Sequence, residues 1–438
     1  MTNNGSHTLR RTLGFWPLVF YGVGDILGAG IYALVGKIAG LAGTYSWLAF
    51  LVALVVAALT GLSYAELGSR FPRSGGEAFF CDRAFGRPAL SFLIGWLVLC
   101  SGVASMATVA RGFAGYVAEF APNAPQSIVI AGFLAVLAGV NFWGIRQSST
   151  ANIACTLIEV TGLLLVIAVG VAWLSTNAPV EPPNVEIDAG GTTWFLIFQG
   201  GTIAFFAFIG FEDIVNVSEE VKSPERNVPL AILTASAVAG LIYLLVVIVA
   251  TSVVSSAELA GSDAPLLLVV RRAAPSIPPS LFTAIALFAI ANTALLNGVM
   301  ASRLMYGMAK ENLLPTVLST VNEKTQTPHV AIVFLLLCTT IFALSGTLIH
   351  LAGTTSLLLL VVFFSVNVAL IVIKRRLPHA ENAFRIPIVV PICGAISTLA
   401  LMAFVQWPAV NSAAIAIGLG LLLAGANALS QRASTPET

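Results

Sequence analysis

Long runs of residues almost free of charge, repeated along the whole chain, restrict this sequence more than any other feature. A helix needs about 20 mostly apolar residues to cross the hydrocarbon of a bilayer. Stretches of that kind occur at 15–38, 45–68, 88–118, 127–145, 151–174, 192–217, 227–254, 280–306, 329–347, 350–373, 386–406 and 409–429. They predict an all-α polytopic membrane protein with twelve transmembrane helices. Of the 438 residues, 58% are hydrophobic and 9% charged, against roughly 25% charged in an ordinary soluble domain, so too little polar surface exists to coat a water-soluble fold. The lipid bilayer is the first partner expected. A net charge of +1 supplies no field for nucleic acid.

Other chemistries lack their residues. The five cysteines (Cys81, Cys100, Cys155, Cys338, Cys393) are scattered, with no C-x-x-C, and read as small core residues. The four histidines (His7, His329, His350, His379) stand near segment ends and at no metal-ligand spacing, so neither a metal nor a cofactor is expected. No histidine falls mid-span and no G-x-x-x-x-G-K-[ST] occurs, which argues against an intramembrane enzyme and a nucleotide-driven pump. The first apolar run is too long for a cleaved signal and reads as a span.

Orientation follows from lysine and arginine. With both termini cytoplasmic, seventeen of the 21 basic residues fall on the inner side, in groups such as Arg10 and Arg11, Arg70 and Arg73, Arg83 and Arg87, and Lys374 to Arg376, with Arg146 and Arg432 alone. The external segment 175–191 is acidic instead, with Glu181, Glu186 and Asp188. The tryptophans at 16, 143, 173, 194 and 407 sit near span ends, as an interfacial belt does. Short loops and tails suit a plasma membrane, and a bacterial inner membrane in particular. Oligomeric state is not written in the sequence.

Glycine marks where two spans depart from regular helix. Gly28-Ala29-Gly30 falls near the middle of the first span, where each glycine costs about 1 kcal/mol of helix propensity relative to alanine. Close helix packing and a discontinuous helix with exposed backbone groups are both open readings. A second interruption, Phe-Phe-Ala-Phe-Ile-Gly-Phe leading into Glu212 and Asp213, lies five spans later. Such spacing fits an inverted repeat of spans 1–5 and 6–10. The organisation is then a tail at 1–14, a first repeat at 15–174, a second at 192–373, spans 11 and 12 at 386–429, and a tail at 430–438. Ionisable groups inside spans cost about 2.5–3.5 kcal/mol each at mid-span and mark candidate sites. Glu159 and Asp25 stand out on that ground. Glu159 is read either as a proton carrier or as a permanently protonated acid bonded to a neighbour, and Asp25 either as an amine or proton sensor or as a helix cap.

Seven phrases in order make the chain resemble the amino acid–polyamine–organocation transporter superfamily, in its cationic-amino-acid-transporter-like and bacterial amino acid permease branches. They are GVGDILGAGIY, SYAELGSRFPRSGGEAF, TVARGFAGY, FFAFIGFEDIVNVSEEVKSPERNVPLAI, ASRLMYGMAKENLLP, TPHVAI and FRIPIVVPICG. The resemblance implies a site between broken spans 1 and 6. There the N–H groups of Ala29, Gly30 and Ile31 hold a substrate carboxylate, and the carbonyls of Ile26, Phe206 and Ile209 hold its ammonium. It implies Phe206 as the outer aromatic gate and Glu212 as part of the inner one. Many relatives carry lysine where this chain has Glu159, so a lysine-based proton coupling does not transfer, and Glu159 and Asp25 become the coupling candidates. Structural and gating salt bridges are implied for Glu66, Glu219, Glu220 and Lys222. The function implied is secondary active transport of an amino acid by alternating access, as proton symport or, alternatively, as amino acid or polyamine exchange.

Overall fold

The computed structural model describes residues 11, 13–73, 76–143, 149–181, 191–377 and 383–434, with backbone alone at 149–152 and 427–434. His7, Arg10, Arg146, Glu186, Asp188 and His379 fall outside the described residues, as does the side chain of Arg432. Helices occupy nearly all of what is described: α1 (Phe15–Ile26), α2 (Ala29–Ala42), α3 (Ser46–Arg70), α4 (Gly76–Phe85), α5 (Pro88–Ala118), α6 (Gln126–Phe142), α7 (Ser149–Leu174), α8 (Thr192–Phe205), α9 (Asp213–Asn216), α10 (Pro224–Val253), α11 (Ser256–Gly261), α12 (Pro265–Ala273), α13 (Pro279–Lys310), α14 (His329–Ser345), α15 (Leu348–Arg376), α16 (Val389–Met402) and α17 (Trp407–Ser434). Proline at the first turn starts α5, α10, α12 and α13, where its missing N–H is no loss and its fixed φ suits the helix. Among the described residues the one extended pairing is a single bridge between Leu13 and Val221.

Eight stretches are long and apolar enough to cross a membrane, and the first of them runs Phe15–Arg70 through α1, α2 and α3. The remaining apolar helices, α6, α14 and α16, have 17, 17 and 14 residues. The chain is therefore a nearly all-helical polytopic membrane protein. Its outer face is apolar too: Ile128, Val136, Leu241, Ile341, Ile396 and Leu422 point away from the protein, as a surface bathed in hydrocarbon allows. With lipid as apolar as leucine, helices associate through close packing rather than exclusion of water. Ala49, Ala53, Ala57 and Gly61 recur every fourth residue on the buried side of α3 and let it lie along α10 and α8. One group of helices thus gathers α1, α3, α8 and α10; a second gathers α5, α6, α13 and α14.

Three connections between the apolar runs carry structure. The stretch after α3 folds into α4, with Phe80 and Cys81 fully buried. The segment between α10 and α13 forms α11 and α12, where Ser255 and Glu258 make a reciprocal capping box and Arg272 grips Glu258 through two nitrogens at 2.8 and 2.9 Å. A 3-10 turn, Thr316–Ser319, stands between α13 and α14. These pieces are short, and long-range packing rather than their own period makes them helical.

The end of the bundle that carries Leu13 and Val221 is held by one buried acid. Glu66 of α3 is fully buried and receives Arg70 at 2.5 Å, Lys374 of α15 at 2.6 Å and the backbone N–H of Ile386 at 2.9 Å. The reading of Glu66 as an ion-pair residue thus has a concrete geometry. Replacing it by alanine strands two cations in a place with little water. Glu66→Ala is expected to lower stability by about 3–5 kcal/mol, seen as a large drop in the thermal unfolding midpoint in detergent. A midpoint within a degree of the parent would show that the cluster contributes little.

Candidate functional site

The first helix break is set by Gly28. α1 ends at Ile26, Leu27 closes it by donating its N–H to the carbonyl of Val23, and Gly28 adopts φ −69°, ψ −147° before α2 begins at Ala29. The first-turn amides of α2 therefore have no carbonyl one turn back. Ala29 donates its N–H to the hydroxyl of Thr293 on α13 at 3.0 Å, and that hydroxyl donates onward to the carbonyl of Ala289. Gly30 and Ile31 contribute the next two N–H groups at the positive end of the α2 dipole.

The second break follows α8. Phe206–Phe208 tighten into a 3-10 turn, Ile209 is extended, and Gly210 takes φ +128°, a conformation that only glycine adopts readily. A side chain on Gly210 would meet the backbone carbonyl carbon of Asp25 at 2.9 Å and its Cγ at 3.1 Å. Gly30 faces the same turn from the other side, where a Cβ would lie 2.6 Å from the Cα of Ala207. Two interrupted helices thus touch backbone to backbone in the middle of the protein. A side chain at Gly30 would collide with Ala207 before it reached any ligand.

Tyr243 of α10 joins the two breaks. Its hydroxyl contacts the carbonyl of Ile26 and, at 3.0 Å, that of Ala207. Between the breaks lies a cavity lined by Asp25, Ile26, Ala29, Gly30, Phe206, Ile209, Asp213, Thr293 and other residues, with Ser105 of α5 and Asn297 of α13 on the far wall. Asn297 donates to the Ser105 hydroxyl at 2.9 Å. The N-terminus of α2 supplies positive backbone dipole to this space, while the C-termini of α1 and α8 supply negative. Dipole ends of opposite sign facing one cavity match in sign the two charges of a zwitterion, with no lysine or arginine in the lining.

Of the residues singled out in the sequence, Asp25, Ile26, Ala29, Gly30, Phe206 and Ile209 line this cavity, whereas Ile31, Glu212 and Glu159 do not. Glu212 folds back on its own turn, its Oε2 accepting the N–H of Gly210 at 2.8 Å. Glu159 sits on α7, fully buried, where Oε1 accepts from Asn292 at 2.8 Å and Oε2 meets no donor. Its backbone carbonyl accepts from Tyr32, whose own carbonyl accepts from Tyr116. Arg111 of α5 donates to the carbonyl of Ala343 at 2.7 Å. Phe205 and Phe208 point into the core.

Sequence reasoning missed Asp213, Tyr243, Thr293, Asn297 and Ser105 as parts of one site. Thr293 and Asn297 stand four apart near the middle of α13 and so share a face, which is the signal that would have found them. Tyr243 carried none, because a tyrosine inside an apolar run reads as packing until its hydroxyl partner is known.

The sequence model of the family described as amino acid permease matches residues 13–419. The chain is 29% identical over 407 residues to the branched-chain amino acid permease BcaP of Bacillus subtilis (strain 168), a match covering 88% of this chain and 85% of the relative. It is 28% identical over 448 residues to the methylthioribose transporter of the same organism, covering 93% of each. A third match, 30% identical over 396 residues, is to the vacuolar cationic amino acid transporter 2 of Arabidopsis thaliana, covering 86% of this chain and 61% of the plant protein.

Removal of the Tyr243 hydroxyl leaves the carbonyls of Ile26 and Ala207 without that donor in a buried place. Tyr243→Phe is expected to cost about 1–3 kcal/mol of stability, read as a lower thermal unfolding midpoint in detergent. An unchanged midpoint would mean that the two breaks hold together without it.

Proposed function

The chain belongs to the amino acid permease family and is a membrane transporter of amino acids rather than an enzyme; on that footing we propose that it works as a proton-coupled symporter of an L-amino acid by alternating access. The observation that carries this reading is the pair of helix breaks facing one cavity with opposite backbone dipoles. In this reading the carboxylate of the substrate binds the N–H groups of Gly30 and Ile31, with Ala29 recruited when Thr293 lets go. The carbonyls of Ile26, Phe206 and Ile209 take the ammonium, and Phe206 closes over it. Glu212, tied to Gly210, holds the shape of the second break and shifts with it when the inner path opens.

Twelve crossings arranged as two inverted repeats of five, followed by two more, account for breaks placed five helices apart. The excess of lysine and arginine on one side puts both termini in the cytoplasm, and the short loops suit a bacterial inner membrane. The group formed by α1, α3, α8 and α10 rocks against that formed by α5, α6, α13 and α14, and the cavity between them opens alternately to each side.

A carboxyl that loads and releases a proton must meet the water that enters with the substrate. Asp25 lines the cavity and Glu159 does not. The coupled proton therefore belongs to Asp25, and Glu159 stays neutral as a structural acid. A fully buried carboxylate with one oxygen unpaired would otherwise be very costly.

Uptake of a labelled amino acid mixture into proteoliposomes, in sodium-free buffer, tests both halves of this reading. Accumulation is expected only with an inward proton gradient. Uptake that ignores the gradient but needs amino acid inside would identify an exchanger instead. Glu159→Gln keeps the acceptor for Asn292 and is expected to retain the gradient dependence and pH profile of the parent. If that substitution abolishes proton-driven accumulation while exchange persists, Glu159 is the coupling group.

A further inference from the structure

Asp25 and Asp213 come from the two broken helices and meet across the joint. Both line one cavity, where Gly210 lies against the carboxyl of Asp25 and through its own carbonyl accepts the N–H of Asp213 at 3.2 Å. Two ionised carboxylates in one small cavity repel each other and have no donor to offer, and a single proton between them relieves both. Asp25 is only 7% exposed, and its Oδ2 has no hydrogen-bond partner. Asp213 is further held by Asn216, which donates to its Oδ1 at 3.0 Å. Gly210, which tolerates no side chain against Asp25, is what brings the two together.

Among the described residues no lysine or arginine lines the cavity beside this pair. The other titratable groups in the surroundings of Asp25 are two more acids, Glu212 on the second joint and Glu159 from α7. Glu77 of α4 belongs to the surroundings of Asp213. Tyr21 stands one turn before Asp25 on α1, and its surroundings hold both aspartates and Arg303 of α13. Among the described residues neither Asp25 nor Asp213 takes part in an ion pair with lysine or arginine. The negative ends of α1 and α8 add to the same sign. The cavity thus presents room for two negative charges and supplies no positive side chain of its own.

We propose that the Asp25–Asp213 pair counts charge: the α-ammonium of the substrate offsets one negative charge, and the other is offset by either a proton or a second ammonium on the substrate. The inference rests on the amino acid site of the preceding reading and adds to it a substrate class and a stoichiometry. A neutral amino acid moves together with one proton shared by the pair. A diamino acid moves without one, because its side-chain ammonium takes the place of that proton. In both cases the substrate and whatever accompanies it carry one net positive charge.

The test uses the full-length protein in sodium-free proteoliposomes, with leucine and lysine as probes and two readouts: transport current and a trapped pH dye. Both amino acids are expected to give inward current of the same charge per molecule. Leucine entry should acidify the lumen by one proton per molecule, and lysine entry should leave it unchanged. Asp213→Asn removes one negative charge, so leucine should then enter without proton or current, and lysine affinity should fall at least tenfold. Asp25→Asn is the parallel variant should the first fail to yield a monodisperse protein. Equal proton entry with both probes overturns the proposal, as does leucine transport by Asp213→Asn that still carries its proton. If only one probe is transported, the same variant decides. Loss of proton coupling for leucine, or of affinity for lysine, supports the pair, and a variant indistinguishable from the parent overturns it. Failure of any amino acid to bind or enter would instead overturn the transport reading on which the pair depends.

Discussion

Backbone groups that have lost their helical partners sit in the middle of this membrane protein, and everything near them is organised to make that tolerable. In hydrocarbon an unsatisfied N–H or C=O costs several kcal/mol. The protein meets the cost by pressing the two defects together and stitching them with side-chain hydroxyls, Thr293 on the amide of Ala29 and Tyr243 on the carbonyls of Ile26 and Ala207. The stitches come from α10 and α13, one from each group of helices. Motion between the groups therefore bears directly on the backbone atoms placed to hold a ligand.

The same constraint explains the glycines. Gly30 and Gly210 are not points of general looseness. Each is where backbone approaches backbone or carboxyl too closely for a Cβ. Because the approach is tight, the carboxyl of Asp25 is delivered to the second joint rather than to solvent. Geometry of the breaks and electrostatics of the cavity are in that sense a single design, and the acidic joint is a by-product of the packing that closes it.

Much of this was legible in the sequence and some was not. The apolar runs located the helices because hydrophobic length is a strong signal, and Gly28, Gly30 and Gly210 marked the interruptions because glycine is conspicuous in an apolar span. Residues whose role depends on a partner far along the chain were not visible. Thr293 reaches an amide 264 positions away and Tyr243 a carbonyl 217 away, and no local pattern encodes either. Glu159 was seen as unusual for the right reason, yet its exclusion from the cavity depends on the tilt and packing of α7 against α13, which period and composition leave open. The helix α4 was missed because ten residues of mixed polarity form a helix only when the rest of the bundle gives them a surface.

At one end of the bundle Leu13 donates to the carbonyl of Glu220 and accepts from the N–H of Lys222, a scrap of ladder two hydrogen bonds long. It fastens the start of the first broken helix to the segment that follows the second. Half-helices severed from their outer halves by glycine joints would otherwise be independent levers. Yoked at their far ends, they have a shared degree of freedom in place of two. A door built this way swings as a single leaf, so a stimulus arriving at either joint is felt at the other without passing through the ligand.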